Sequence, residues 1–231
     1  MNIFERRETM IITSQGFGHF TQGLNNQDFG IETSKMVLVL DGCSSGKYSE
    51  IGTRLFAQLF QRKQGYDNPE KFEDNVKEVF DEIISMMRKY YKSDEDFESN
   101  FIMENLLFTI IACFKTEDRY IVKMFGDGYV ITQNVYDKVS YMRFAYGKCP
   151  PYFAYRYCSV MPINVHDFKT LKLDKKYFKS VGVATDGILP IVKGEIKGFD
   201  SILQKKNDVV ISNAINNQRS IFFDDLTIAM F

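Results

Sequence analysis

The sequence is poor in the residues that build cross-links or nitrogen- and sulfur-lined metal cages. Its 231 residues hold 4 cysteines. Cys43, Cys113, Cys149 and Cys158 form no CxxC pair, which speaks against a disulfide framework or a structural zinc site, and reduced thiols are expected. There are 2 histidines, His19 and His166. The 5 prolines gather only weakly around Pro150, Pro151 and Pro162, and no linker, repeat or low-complexity tract divides the chain. One domain over residues 1–231 is therefore expected. Charge of neither sign dominates: Lys+Arg 29 against Asp+Glu 30 leaves a formal net charge of -1, so the basic excess of a dedicated nucleic-acid binder is missing. No apolar run approaches the roughly 20 residues that span a bilayer. The first residues, MNIFERRETM, carry acids and bases where a signal peptide has a hydrophobic stretch. The sequence predicts a cytoplasmic protein with neither a membrane nor a nucleic-acid partner.

What is present is a well-supplied core, with a hydrophobic fraction of 45%. Apolar β-formers dominate Met36–Leu40, Leu106–Phe114, Tyr120–Phe125, Tyr129–Val135, Val181–Thr185 and Leu226–Phe231, which predicts several strands covered on at least one face. A helical period runs through Phe72, Val76, Val79, Phe80, Ile83, Ile84, Met87 and Tyr91, with Asn68 and Pro69 placed as N-cap and first-turn residue. A shorter helix sets Ile51, Leu55, Phe56, Leu59 and Phe60 on one face, and a third is expected over Asp208–Asn217. Lysines and aromatics at Lys172–Lys179 read as a solvated turn between strands, and the aromatic- and arginine-rich stretch Tyr141–Tyr157 as a flap beside the functional site that could select substrates. The order of elements suits antiparallel sheets with helices outside them rather than βαβ units.

The aspartates are placed with respect to these strands. Met36–Leu40 runs out into Asp41-Gly42 and Val181–Thr185 into Asp186-Gly187; Asp127-Gly128 sits in a tight turn between strands, and Asp224-Asp225 precedes the last strand. Asp-Gly is a common turn dipeptide, so one instance would mean little. If these ends share one edge, four or five carboxylates converge, and their mutual repulsion demands protons or a cation. Oxygen-only donors suit hard ions such as Mg²⁺ or Mn²⁺.

At these residues the sequence resembles the metal-dependent protein serine/threonine phosphatases of the 2C type, in a divergent bacterial branch. GHFTQGLNNQD (18–28) resembles the first acidic motif and VLDGCSSGKYSEIG (39–52) the aspartate-glycine motif. GDGYVI (126–131), VATDGI (183–188) and DDLTIAMF (224–231) follow in the family's order. The resemblance implies an α+β fold, a four-layer α-β-β-α sandwich of two antiparallel sheets flanked by helices. It implies phosphomonoester hydrolysis by water activated between two Mn²⁺ or Mg²⁺ ions. Asp41 and the Gly42 carbonyl would hold ions, Asp186 and Asp224 would complete the set, Asp127 would serve a weaker third position, and Asp28 would orient water.

Two departures bear on the substrate. Many relatives carry an arginine five residues before the first-motif aspartate to grip phosphate, and Gly23 stands there. His19, Lys47 and Arg54 are the substitutes within the motifs, with His19 as a catalytic donor and Lys47 as a phosphate ligand. Cys43 follows Asp41-Gly42 where animal relatives have histidine, and reads as a small packed side chain or a proton donor. Asp225 reads as an outer-shell or turn residue. The implied partner is a phosphoserine or phosphothreonine protein, with a cellular kinase opposing the reaction. The alternatives are a catalytically inactive phosphatase-like regulatory binding module and hydrolysis of a small phosphorylated metabolite.

Overall fold

The computed structural model describes residues 9–145, 150–159 and 167–231; Cys149, Pro162, His166 and residues 146–149 of the stretch 141–157 lie outside them. Ten strands form two antiparallel five-stranded sheets. One contains β1 (Met10–Ser14), β6 (Gly128–Asn134), β7 (Val139–Phe144), β9 (Phe178–Ala184) and β10 (Leu226–Met230), in the order β1-β10-β9-β6-β7. The other contains β2 (Phe29–Glu32), β3 (Met36–Gly42), β4 (Phe108–Lys115), β5 (Arg119–Phe125) and β8 (Lys169–Asp174), in the order β2-β3-β4-β5-β8.

Alternation along β3 explains the layering. Val37 and Val39 join Ile111, Val130, Val181, Val183 and Ala229 in a core between the sheets. Met36, Leu38 and Leu40 point the opposite way, into a second core with α2 (Ser49–Phe60) and α3 (Phe72–Arg88). Successive side chains leave a strand on opposite faces, and here both faces are covered, so the segment is apolar throughout. Phe80 stacks on Phe108 and Phe56 packs against it with tilted rings, at centroid distances of 5.5 and 5.4 Å. The outer face of the other sheet is sealed by Phe199, Ile211 and Ile215 from the helices Phe199–Leu203 and Asp208–Asn216. The result is the expected α-β-β-α sandwich.

Several expectations need correction. Helix α3 begins at Phe72, not at Asn68, because Asn68 Oδ1 accepts from the Glu70 N–H and closes a separate turn. Burial of Phe72 against Phe60 and Phe114 then fixes where the helix starts. In α2, Ile51 is 52% exposed; Gly52 and Thr53 take the inner side, Gly52 against the Asn105 carbonyl and Thr53 donating to the Gln27 carbonyl at 2.9 Å. Lys172–Lys179 is no simple turn: β8 ends at Asp174 and β9 begins at Phe178. Within the stretch 141–157, β7 accounts for the first residues and a 3-10 helix, Phe153–Tyr157, for the last, with Phe153 buried in the core.

Candidate functional site

Strand register gathers the aspartates. Tyr129 of β6 pairs with Ala184 of β9, so Asp127, two residues before the one, and Asp186, two after the other, leave the sheet side by side. Ala184 also pairs with Ile228 of β10. Asp224 and Asp225 therefore enter at the same end. In the second sheet Asp41 pairs with Thr109 and Phe29 with Leu40, bringing Asp28 level with Asp41. The turn carrying Asp127 is held by Gly126 and Gly128 at φ of 100° and 142°, values that side chains rarely adopt.

Asp41, Asp127, Asp186 and Asp224 line one cleft of about 270 Å³, each half-buried. Two come from strand ends, one from a turn, one from the approach to β10, and the two sheets both contribute. Gly42 lines it too. A β-carbon there would stand 2.7 Å from the Gln27 carbonyl oxygen, so glycine is what lets the loop 42–46 pass close by. Desolvation and the surrounding carboxylates Asp28, Asp186, Asp224 and Asp127 hold Asp41 well above the usual range. Burial first and Asp224 second push Asp186 up to about 6, against a smaller opposing effect of Arg143. Burial also raises Asp127 and Asp224.

Behind these lies a buried layer. Asp28 is 2% exposed; its Oδ2 accepts from Thr185 Oγ1 at 2.8 Å, and its Oδ1 has no partner among the described residues. Burial, then Asp225, raises its pKa well above the ordinary value. Asp225 Oδ1 accepts from the Gly16 N–H at 2.7 Å and Oδ2 from the Gln27 N–H at 2.6 Å. His19 Nδ1 lies 2.8 Å from that same Oδ2, in a contact that pairs charge when the imidazole is protonated but is not a linear hydrogen bond. Asp225 thus ties two segments, the start of the helix Phe17–Gln22 and the stretch before β2, to the start of β10 beside Asp224.

The cations proposed from sequence lie elsewhere. His19 is buried against Asp225, Lys47 is exposed and rests over the Tyr48 ring, and Arg54 donates to the Glu50 and Asn26 carbonyls. Gly23 caps α1 (Phe17–Gln22) at φ 69°, so its place is set by backbone shape. Arg143, from β7, is the cation that lines the cleft among the described residues, with Tyr152 and Pro150 beside it. Sequence reasoning placed the stretch 141–157 beside the site but did not single out this residue. The alternation of β7 was its sole signal, and only the pairing of Arg143 with Tyr129 brings it to Asp127.

Among the described residues no three carboxylate, histidine or thiol side chains are grouped tightly enough to hold an ion as they stand; the acids are spread round the cleft wall. Their chemistry nevertheless fits a hard cation. The donors are all oxygen, their like charges raise one another's pKa, and a buried carboxylate oxygen behind them lacks a partner. A sulfur or imidazole ligand is not needed.

A helix-flanked antiparallel sandwich with an acid-lined cleft at one end of both sheets defines the architecture. The family model for protein phosphatase 2C matches residues 15–212, and the chain belongs to that family. Solved structures with the same fold include the catalytic domain of the serine threonine protein phosphatase PstP in complex with two manganese ions. It aligns with a TM-score of 0.66 at 12% identity, over 96% of each chain. Another is the serine/threonine phosphatase Stp1 from Staphylococcus aureus, with a TM-score of 0.64 at 11% identity over 96% of this chain and 93% of that one. The PstP/Ppp phosphatase of Mycobacterium tuberculosis gives 0.64 at 12% identity over 96% of each chain. No curated protein matches the chain by sequence.

Proposed function

We propose that this chain is a metal-dependent phosphomonoester hydrolase acting on phosphoserine or phosphothreonine in proteins, as one domain, with a kinase supplying its substrate. The observation that carries the reading is the convergence of Asp41, Asp127, Asp186 and Asp224 on one cleft. Among the described residues four carboxylates stand against one guanidinium and would repel a phosphate ester, so anion hydrolysis here calls for added positive charge. Mn²⁺ or Mg²⁺ bound there would lower the pKa of water to make a nucleophile near neutral pH and would neutralise phosphoryl oxygens. Asp41, Asp186, Asp224 and the Gly42 carbonyl would hold two ions, with Asp127 and Asp186 serving a weaker third. Asp28, buried behind Asp41, would accept a proton or a hydrogen bond from water through its unpartnered Oδ1.

A neighbouring cleft supports an extended substrate over a small metabolite. It is also about 270 Å³, shares Asp186 and Asp224 with the first, and is walled by Leu189, Pro190, Ile221 and Phe223. An apolar wall beside a phosphate site suits a peptide whose flanking side chains pack there. The second reading, a non-catalytic binding module, is favoured by Gly23, whose left-handed backbone serves as a helix cap where many relatives place a phosphate-binding side chain.

One assay separates them: hydrolysis of p-nitrophenyl phosphate with and without Mn²⁺ or Mg²⁺, for wild type, Asp41→Ala and Asp186→Ala. The phosphatase reading expects ion-dependent turnover that falls more than about a hundredfold in both variants, since even partners one step removed from a metal are worth ten- to hundredfold. Folded wild-type protein without turnover in any divalent ion would leave the binding module.

A further inference from the structure

Among the described residues the cleft contains one side chain whose charge opposes that of the aspartates. We propose that Arg143 is the residue that grips the substrate's phosphoryl group, an inference that rests on the phosphatase reading for the identity of the substrate but not for the anion itself. Arg143 lines the cleft together with Asp127 and Asp186, and it is exposed. Its guanidinium makes no hydrogen bond or ion pair with those carboxylates or with any other described residue. A guanidinium whose charge is felt by Asp127, Asp186 and Tyr129 yet whose donors have no partner among the described residues has its planar fork available for a ligand. Such a fork matches two oxygens of a phosphate in parallel, which a lysine cannot do.

Its position in the fold agrees. β7 is the outer strand of its sheet, so Arg143 stands on the rim of the cleft rather than in its floor. The β6–β7 register sets it opposite Tyr129, two residues beyond Asp127. Arg143 and the aspartates line the same cleft, so a phosphate held there by ions on the carboxylates would come within reach of the guanidinium. The other candidates are engaged elsewhere: Arg54 spends its donors on two backbone carbonyls, Lys47 stands outside the cleft, and His19 faces Asp225.

The test uses the full chain with Mn²⁺ and compares wild type, Arg143→Ala and Arg143→Lys. Because the side chain is exposed, both variants should keep the wild-type melting temperature within a degree or two. Arg143→Ala should raise KM for p-nitrophenyl phosphate by about ten- to hundredfold, the worth of hydrogen bonds to a charged group, with kcat changed much less. That split marks a contact made equally in ground and transition states. Arg143→Lys should fall between the two. In parallel, titration calorimetry with inorganic phosphate on the Mn²⁺-loaded proteins should show a matching loss of affinity in Arg143→Ala. Equal phosphate affinity in wild type and Arg143→Ala, or no phosphate binding by wild type, would overturn the assignment. Phosphate bound through Arg143 without any turnover would instead uphold it and remove the phosphatase reading.

Discussion

Asp225 is the residue on which the geometry of the acidic end rests. Its two oxygens take the Gly16 and Gln27 N–H groups while His19 Nδ1 sits 2.8 Å away, and the carboxylate itself is 2% exposed. Removing the imidazole leaves that carboxylate buried with less compensation, so His19→Ala should lower stability by about 1–3 kcal/mol. Urea denaturation would register this as an earlier midpoint with an unchanged slope. The cleft carboxylates behave in the opposite sense. The folded-state pKa of Asp186 lies near 6 and that of Asp41 is also raised, both above the unfolded value of about 3.9. A raised carboxylate pKa means that the folded chain binds the extra proton, so the penalty is fully present above the folded pKa and is relieved as pH falls through it toward the unfolded one. In EDTA the melting temperature should therefore rise, or fall less than for Asp186→Asn, between pH 7 and pH 5. Saturating Mn²⁺ should remove that difference. At this scale the aspartates were legible in sequence because each directly leaves or enters an apolar strand. Arg143 was not, since nothing local in VSYMRF tells which end of which sheet the strand will reach.

At the scale of elements, the joint between α2, α3 and β4 is aromatic. Phe80 meets Phe56, Phe108 and Phe153 at 4.8 to 5.5 Å and is fully buried. Phe80→Ala would open a cavity beneath α3 and should cost about 3–5 kcal/mol, measurable by urea or thermal denaturation. Gly187 is a second sensitive point: a β-carbon there would run into the Asp225 carbonyl. Gly187→Ala should therefore displace the segment bearing Asp224 and weaken Mn²⁺ binding in calorimetry more than it lowers the melting temperature. The elements read correctly from sequence are those with one unambiguous pattern. β4, β10, the run Met36–Leu40 of β3 and the run from Val181 of β9 are almost wholly apolar because both faces are covered, and α3 has a wide buried stripe. The strands overlooked, β1, β2, β7 and β8, sit at sheet edges, where half the side chains meet water and lysines or serines interrupt the run. Ile51 misled for a related reason, since glycine and threonine on the other face of α2 pack more closely than any large side chain could.

At the scale of the molecule, the cleft takes Asp41 from one sheet and Asp127, Asp186 and Asp224 from the approaches to the other. Ions held there would bind the folded chain and not the unfolded one. Mn²⁺ at a hundredfold excess over its Kd should thus stabilise the protein by about 2.7 kcal/mol per site, and Asp41→Ala should erase most of the thermal shift. Among the described residues no helix is long and apolar enough to cross a membrane.

The layer of Val39, Ile111, Val183 and Ala229 that separates the two sheets is fully buried. It works as a caliper. Adding or trimming a methyl group in that filling would open or close the jaws on which the opposing carboxylates are mounted. If the cleft holds metal ions as proposed, the preference between a smaller and a larger cation would be adjustable from the greasy interior, with every carboxylate left in place.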